Sequence, residues 1–104
     1  MLGRLDDARG AQERALGIKE KAYGPEHHEV AITLGNLDML EKRRDDLPGA
    51  LTAEERALGI VPPTHPYIVQ ACENLADTLE RLGEAGRAEG LRARAAAIRD
   101  GGDG

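Results

Sequence analysis

The sequence predicts an all-α fold, an antiparallel array of about five helices stacked as a helical repeat. The stretch from Glu13 to Ile18 returns letter for letter from Glu55 to Ile60, and a weaker copy ends at Ile98. Offsets of 42 and 38 residues between the copies indicate a repeat protein, because each unit is then one small group of helices. The composition agrees, since good helix formers dominate and the two tyrosines are the sole aromatic residues.

The first helix is predicted up to Gly24-Pro25, a dipeptide that ends helices. Its apolar residues alternate at spacings of three and four and therefore form one stripe, made of Ala8, Ala11, Ala15, Ile18 and Ala22. We expect Ala15 and Ile18 of this stripe to turn inwards. The third helix repeats the pattern after Asp46, a good N-cap, and Pro48, which is tolerated in a first turn.

The second helix is predicted from about His28, and its apolar stripe fails towards the end. The face that should be buried carries Val30, Leu34 and Leu37. The next positions on that face are Asp38 and Glu41. Because an unpaired buried carboxylate costs several kcal/mol or shifts its pKa, we expect the helix to fray here or to turn both carboxylates towards water.

The fourth and fifth helices carry cleaner stripes. The fourth is expected to start at Thr64-His65-Pro66, with the proline as its first helical residue, and to end at Gly83. Its apolar residues are Ile68, Cys72, Leu75, Ala76, Leu79 and Leu82. The fifth helix follows on Ala88, Leu91, Ala95 and Ile98. Residues 100–104 are expected to form a disordered tail.

Composition and charge argue against several classes of function. The net charge is −5 with both signs mixed along the chain, and no basic cluster favours nucleic-acid binding. No apolar run is long enough to span a membrane, and no signal-peptide pattern is present. The single cysteine, Cys72, cannot form an internal disulfide, so a cytoplasmic protein is the default expectation. No Gly-rich phosphate loop follows a strand, and we expect no cofactor.

Aligned copies of the repeat show which family the chain resembles. Asn36-Leu37 matches Asn74-Leu75, and the segment from Lys19 to Ala31 has a characteristic linker. The sequence resembles the tetratricopeptide repeat, a helix–turn–helix unit, and more narrowly the longer repeats of kinesin light chains and their bacterial relatives. The resemblance implies a solenoid without catalytic activity.

The resemblance assigns residues 1–99 to one array of two and a half repeats. Its parts are the second helix of a truncated repeat at 2–24, a degenerate repeat at 26–61 and an intact repeat at 64–99. On this register the chain opens at the close of a first helix, so the first visible helix lacks a partner on one side. We expect that either a preceding segment or a second copy of the chain covers it, the latter by self-association.

Catalytic and metal-binding interpretations are weaker than structural ones. Cys72 is the strongest candidate nucleophile, but on an apolar stripe a cysteine needs no role beyond that of a small buried hydrophobe. His27, His28 and His65 occupy the connections between helices. The His27-His28 pair could bind a metal with a neighbouring glutamate, but the resemblance already accounts for a histidine in that linker, and we predict no metal site.

The predicted site is the surface opposite the buried stripes. In tetratricopeptide arrays the first helix of each pair lines a concave groove, so the resemblance implies that matching positions of the second and fourth helices face each other across it. These are Ile32, Asn36, Met39, Arg43, Gln70, Asn74, Asp77 and Arg81. The asparagine amides can donate to and accept from a peptide backbone, and the arginines can grip carboxylates. Ile32 and Met39 would supply an apolar floor.

The sequence therefore predicts a protein–protein interaction module that binds a peptide or helix of a protein partner in this groove. The alternative is a regulatory or structural piece of a larger sensor array, of the kind that the resemblance associates with signalling NTPases. Such a piece would stack on other repeats through its first helix. A third interpretation makes the eight residues ordinary polar helix surface.

Overall fold

The computed structural model describes residues 2–101, and within them the chain forms five α-helices joined by turns. They are α1 (Leu2–Tyr23), α2 (His28–Arg43), α3 (Leu47–Ile60), α4 (Ile68–Arg81) and α5 (Ala85–Arg99). Each helix packs chiefly against its neighbours in sequence. The all-α helical repeat predicted from the sequence is confirmed.

Left-handed residues follow four of the described helices, one of them being Gly101 after α5 with φ of 78°. Gly24 and Gly83 follow α1 and α4 with φ of 91° and 86°, a backbone that glycine adopts without strain. Asp45 follows α2 with φ of 62°, where a side chain makes the same conformation less favourable. The next residue, Asp46, accepts a hydrogen bond from the backbone N–H of Gly49 at 3.0 Å, so its role as the N-cap of α3 is confirmed.

Histidines hold the turns that lead into α2 and α4. Nδ1 of His27 accepts a hydrogen bond from the backbone N–H of Glu29 at 3.1 Å, and Nδ1 of His65 accepts one from Tyr67 at 3.0 Å. The ring of Tyr23 stacks on His27 with the ring centroids 4.6 Å apart. Both histidines therefore have a structural role in the connections between repeats.

The ends of the last repeat differ in part from the prediction. Residues 64–67 form turns, and α4 begins only at Ile68, whose N–H donates to the His65 carbonyl at 3.0 Å. Pro66 is therefore a turn residue, and the expectation that it opens the helix is wrong. At the other end Asp100 and Gly101 close α5 as a turn, while residues 102–104 of the expected tail lie outside the described residues.

The core lies between the paired helices. Leu34 and Leu37 of α2 pack against Ala53 and Ala57 of α3, where the small alanines let the helices approach closely. The second pair repeats this arrangement through α4 and α5, and Cys72 is fully buried there. Paired helices thus bury continuous apolar faces that no single helix could stabilise alone.

Only one side of α1 is covered by the described residues. Leu16 packs against the core formed by α2 and α3, but the side chain of Ile18 is 68% exposed. The equivalent residues Ile60 and Ile98 pack against buried clusters. The expectation that Ile18 turns inwards is wrong for the described residues, because no described helix lies against that face.

The second helix continues through the positions where it was expected to fray. α2 runs to Arg43, and Asp38 and Glu41 are 3% and 5% exposed, so the expectation that they turn towards water is wrong. Glu41 is stabilised by two arginines: Nε of Arg9 lies 3.0 Å from its Oε1, and Nη1 of Arg44 lies 2.8 Å from the same oxygen. Charge pairing with α1 and with the residue after α2 therefore compensates the burial of this carboxylate.

Candidate binding groove

A groove of about 450 Å³ lies between α2 and α4. Its lining includes five of the eight residues predicted for the site, namely Ile32, Asn36, Met39, Gln70 and Asn74. Asp38, Lys42, Tyr67 and Gly35 complete the lining. The two helices occupy equivalent places in consecutive repeats, so matching positions on them share one side of the stack.

The α2 wall of the groove is apolar and exposed. Ile32 is 52% exposed and Met39 is 62% exposed. Seven residues separate them, which is about two helical turns, so both side chains lie on one face of α2. Large exposed apolar side chains that share one face are typical of surfaces that bind another molecule.

The α4 wall presents amides and a tyrosine. Nε2 of Gln70 donates to Oδ1 of Asn74 at 2.8 Å, and Tyr67 lines the same groove as Asn74. Burial raises the pKa of Tyr67, and the neighbouring Asn74 side chain opposes that rise. A side chain at Gly35 would put its Cβ 3.3 Å from the Tyr67 hydroxyl, so the glycine lets the ring lie close against α2.

The other three predicted residues lie outside the groove lining. Arg43 is exposed at the end of α2. Nε of Arg81 lies 3.3 Å from Oδ2 of Asp77, and the same oxygen is 3.8 Å from Nζ of Lys42. Arg81 is therefore paired within its own helix, which limits its use as a grip for a carboxylate of a ligand.

The floor of the groove holds a cluster of buried ionisable groups from α2 and α3. Asp38 is 3% exposed and Glu54 is 4% exposed. Nζ of Lys42 lies 2.9 Å from Oε2 of Glu54 and 3.9 Å from Oδ1 of Asp38. Burial raises the pKa of Asp38 to about 8, the neighbouring Glu54 carboxyl adds to the rise, and Lys42 opposes it. At neutral pH Asp38 therefore holds a proton.

Sequence reasoning missed Glu54 and Tyr67 as parts of this region. Tyr67 lies just outside α4, where a helical pattern does not place it. Asp38 and Glu54 do leave a signal, because each interrupts the apolar face of its helix. Two charged residues on facing apolar stripes indicate a buried polar cluster, although the sequence does not show that the stripes meet at those positions.

The remaining chemically interesting groups have structural environments. Cys72 is fully buried, and burial raises the pKa of its thiol, which makes it a poor nucleophile. Across residues 2–101, no group of three or more His, Cys, Asp or Glu side chains is arranged to hold a metal ion. No helix in the described part of the chain has the length and hydropathy needed to cross a membrane.

Comparison with known families agrees with the architecture. The family profile described as tetratricopeptide repeat matches residues 1–62, which is more than half of the chain. The chain therefore belongs to the tetratricopeptide repeat family. Repeats of this family generally mediate interactions between proteins and are typically non-catalytic. No curated protein matches the chain significantly.

Proposed function

We propose that the protein is a non-catalytic interaction module that binds a segment of another protein in the groove between α2 and α4. The observation that supports this most is the pairing of an exposed apolar wall, Ile32 and Met39, with an amide wall opposite. An extended or helical segment could bury apolar side chains on α2 and satisfy its polar groups with Asn36 and Asn74. The groove spans two helices, so it fits a short segment.

The test uses a random peptide library displayed on phage, selected against the full chain. The groove variant carries Ile32→Ser and Met39→Ser, which change exposed residues and should leave the fold intact. The matched control carries Ile18→Ser, because Ile18 is also a large exposed apolar residue but lies on α1. We expect peptides enriched on the parent chain to bind the control and to lose at least about tenfold in affinity for the groove variant. Equal binding to both variants would contradict the proposal.

A second candidate function is stacking on further repeats, and one observation favours it. The face of α1 that carries Ile18 is exposed, whereas the equivalent Ile60 of α3 packs against the core. In this interpretation a helix of a larger array covers α1 in the way that α2 covers α3. The chain would then act as a regulatory or structural unit of that array.

The stacking candidate is tested by supplying the covering helix. A copy of residues 64–81 is joined ahead of Leu2, the position that the internal register assigns to it. We expect the extended chain to be more stable, and Ile18→Ser to cost about 2 kcal/mol in it but close to nothing in the parent chain. Sedimentation equilibrium distinguishes the remaining possibility, since a dimer of the parent chain that Ile18→Ser dissociates would indicate a second copy instead.

A further inference from the structure

The floor of the groove contains buried carboxyl oxygens without hydrogen-bond partners. Among the described residues, Oδ1 of Asp38 and both carboxylate oxygens of Glu54 are buried and accept no hydrogen bond. Lys42 approaches Oε2 of Glu54 to 2.9 Å, but not in the direction that a hydrogen bond requires. Unsatisfied buried acceptors are costly, and so many in one place indicate a site that lacks a donor.

Two cationic side chains lie near these oxygens and Asp77. Lys42 reaches three carboxyl groups at once, at 2.9 Å from Glu54, 3.9 Å from Asp38 and 3.8 Å from Asp77. Arg81 pairs with Asp77 from the outer side. One ammonium therefore serves a buried acid pair and a third carboxylate. Once Asp38 has released its proton, a further positive charge at the floor interacts favourably with these carboxylates.

We propose that the groove floor is a recognition site for a cationic side chain of the bound segment, a guanidinium or a primary ammonium that pairs with Asp38 and Glu54. This inference rests on the proposed function of the groove. A guanidinium fits best, because its planar fork donates to two carboxylates at once. A metal ion fits less well, because the Lys42 ammonium already lies among the carboxyl groups and repels it.

Entry of the cation requires Lys42 to move. The space enclosed by Asp38, Glu54 and Tyr67 is too small for a water molecule, whereas the groove above it is open and has Asp38 in its lining. The side chain of Lys42 is 20% exposed and already lies 3.8 Å from Asp77. Lys42 can therefore swing towards Asp77, and the incoming cation takes its place beside the acid pair.

Binding of a cation should release the proton of Asp38 to solvent. The groups that face Asp38 are Lys42 on its own helix, Glu54 from α3, and Asp77 and Tyr67 from the α4 side. On the α1 side of α2 the nearest cation, Arg9, is engaged with Glu41 and does not reach this cluster. A cation that replaces the proton of Asp38 binds more tightly as pH rises through the pKa of Asp38.

The experiment follows backbone amide shifts of the full chain by NMR. The probes are N-acetylarginine methylamide and its neutral counterpart N-acetylnorleucine methylamide. We expect the arginine compound to shift the amides of residues 35–42 and 67–77 and the norleucine compound to leave them unchanged. With a pKa of about 8 for Asp38, the affinity should rise up to roughly eightfold between about pH 7 and about pH 8.5.

Isosteric variants separate this inference from the function on which it rests. Asp38→Asn should remove the pH dependence, and Glu54→Gln should weaken binding of the arginine compound. The control Glu55→Gln lies on the same helix but faces Arg87 on the outer surface, and it should behave like the parent chain. Equal shifts from both compounds, no shift from either, or phage-selected groove peptides without a basic residue would overturn the cation site. Any of these results leaves the peptide-binding function to be judged by the groove variant alone.

Discussion

Replacement of Asp38 by asparagine should remove a pH-dependent weakness of the fold. In the folded chain Asp38 has a pKa of about 8, against an ordinary value of 3.8. Between these two values the folded protein holds a proton that the unfolded chain has lost. The stabilisation linked to this proton is complete below the unfolded pKa and is lost as pH rises through the folded pKa.

The size of the stability loss follows from the pKa shift of Asp38. Between about pH 5 and about pH 8 the free energy of unfolding falls over about three pH units. Each pH unit is worth about 1.4 kcal/mol. The loss is therefore roughly 4 kcal/mol as an upper value, since Lys42 can move closer to an ionised Asp38. Domains are typically stable by about 5–15 kcal/mol, so a change of this size is easily measured.

Urea unfolding followed by circular dichroism at about pH 5, 7 and 9 measures the effect. The wild-type midpoint should fall as pH rises, because a second buried carboxylate forms beside Glu54. Asp38→Asn is neutral at every pH, and its amide can donate to Glu54, so its midpoint should change much less. We expect the variant to be the more stable protein at high pH and the difference to shrink at low pH.

A matched control variant tests whether the pH dependence of stability belongs to Asp38. Asp77→Asn also faces Lys42, but the side chain of Asp77 is 44% exposed, so this variant should keep the wild-type pH dependence. The reasoning is refuted if wild type and Asp38→Asn show the same pH dependence, because Asp38 would then be ionised in the fold at neutral pH.

Three further predictions concern stability. Asp45→Gly should stabilise the fold by about 1 kcal/mol, because the left-handed φ of 62° suits glycine, and Gly83→Ala should destabilise it for the same reason. Ile60→Ala should cost about 2 kcal/mol, whereas Ile18→Ala at the equivalent, exposed position should change stability by less than about 0.5 kcal/mol. His27→Ala should cost about 1 kcal/mol through loss of the α2 cap, and His27→Asn should retain most of it. Urea unfolding at constant pH measures all three.

Each of these has a result that would contradict it. A destabilising Asp45→Gly would mean that the Asp45 side chain makes a contact more valuable than the relief of its backbone. Equal costs at Ile18 and Ile60 would indicate that α1 is covered in solution. A neutral His27→Ala, with the helix content unchanged, would show that the turn before α2 is held by other contacts.

The helices and their order could be predicted from the sequence because they depend on local chemistry. Apolar spacing, the Asp46 cap and the glycines at 24 and 83 act within a few residues of where they stand. The repeat register then aligned α2 with α4 and predicted five of the residues that line the groove. The predicted start of α4 was wrong, because proline and histidine occur both in turns and at the starts of helices.

Only the tertiary structure decided whether the charged residues are buried and which groups they contact. The sequence alone determined that Asp38 and Glu41 stand on an apolar face, and from this it was inferred, wrongly, that they avoid burial. Their neighbours lie elsewhere in the chain: Arg9 of α1 pairs with Glu41, and Glu54 of α3 lies beside Asp38. Periodicity reports which face a residue occupies, but the energy of a buried charge depends on which groups the fold brings within a few ångströms of it.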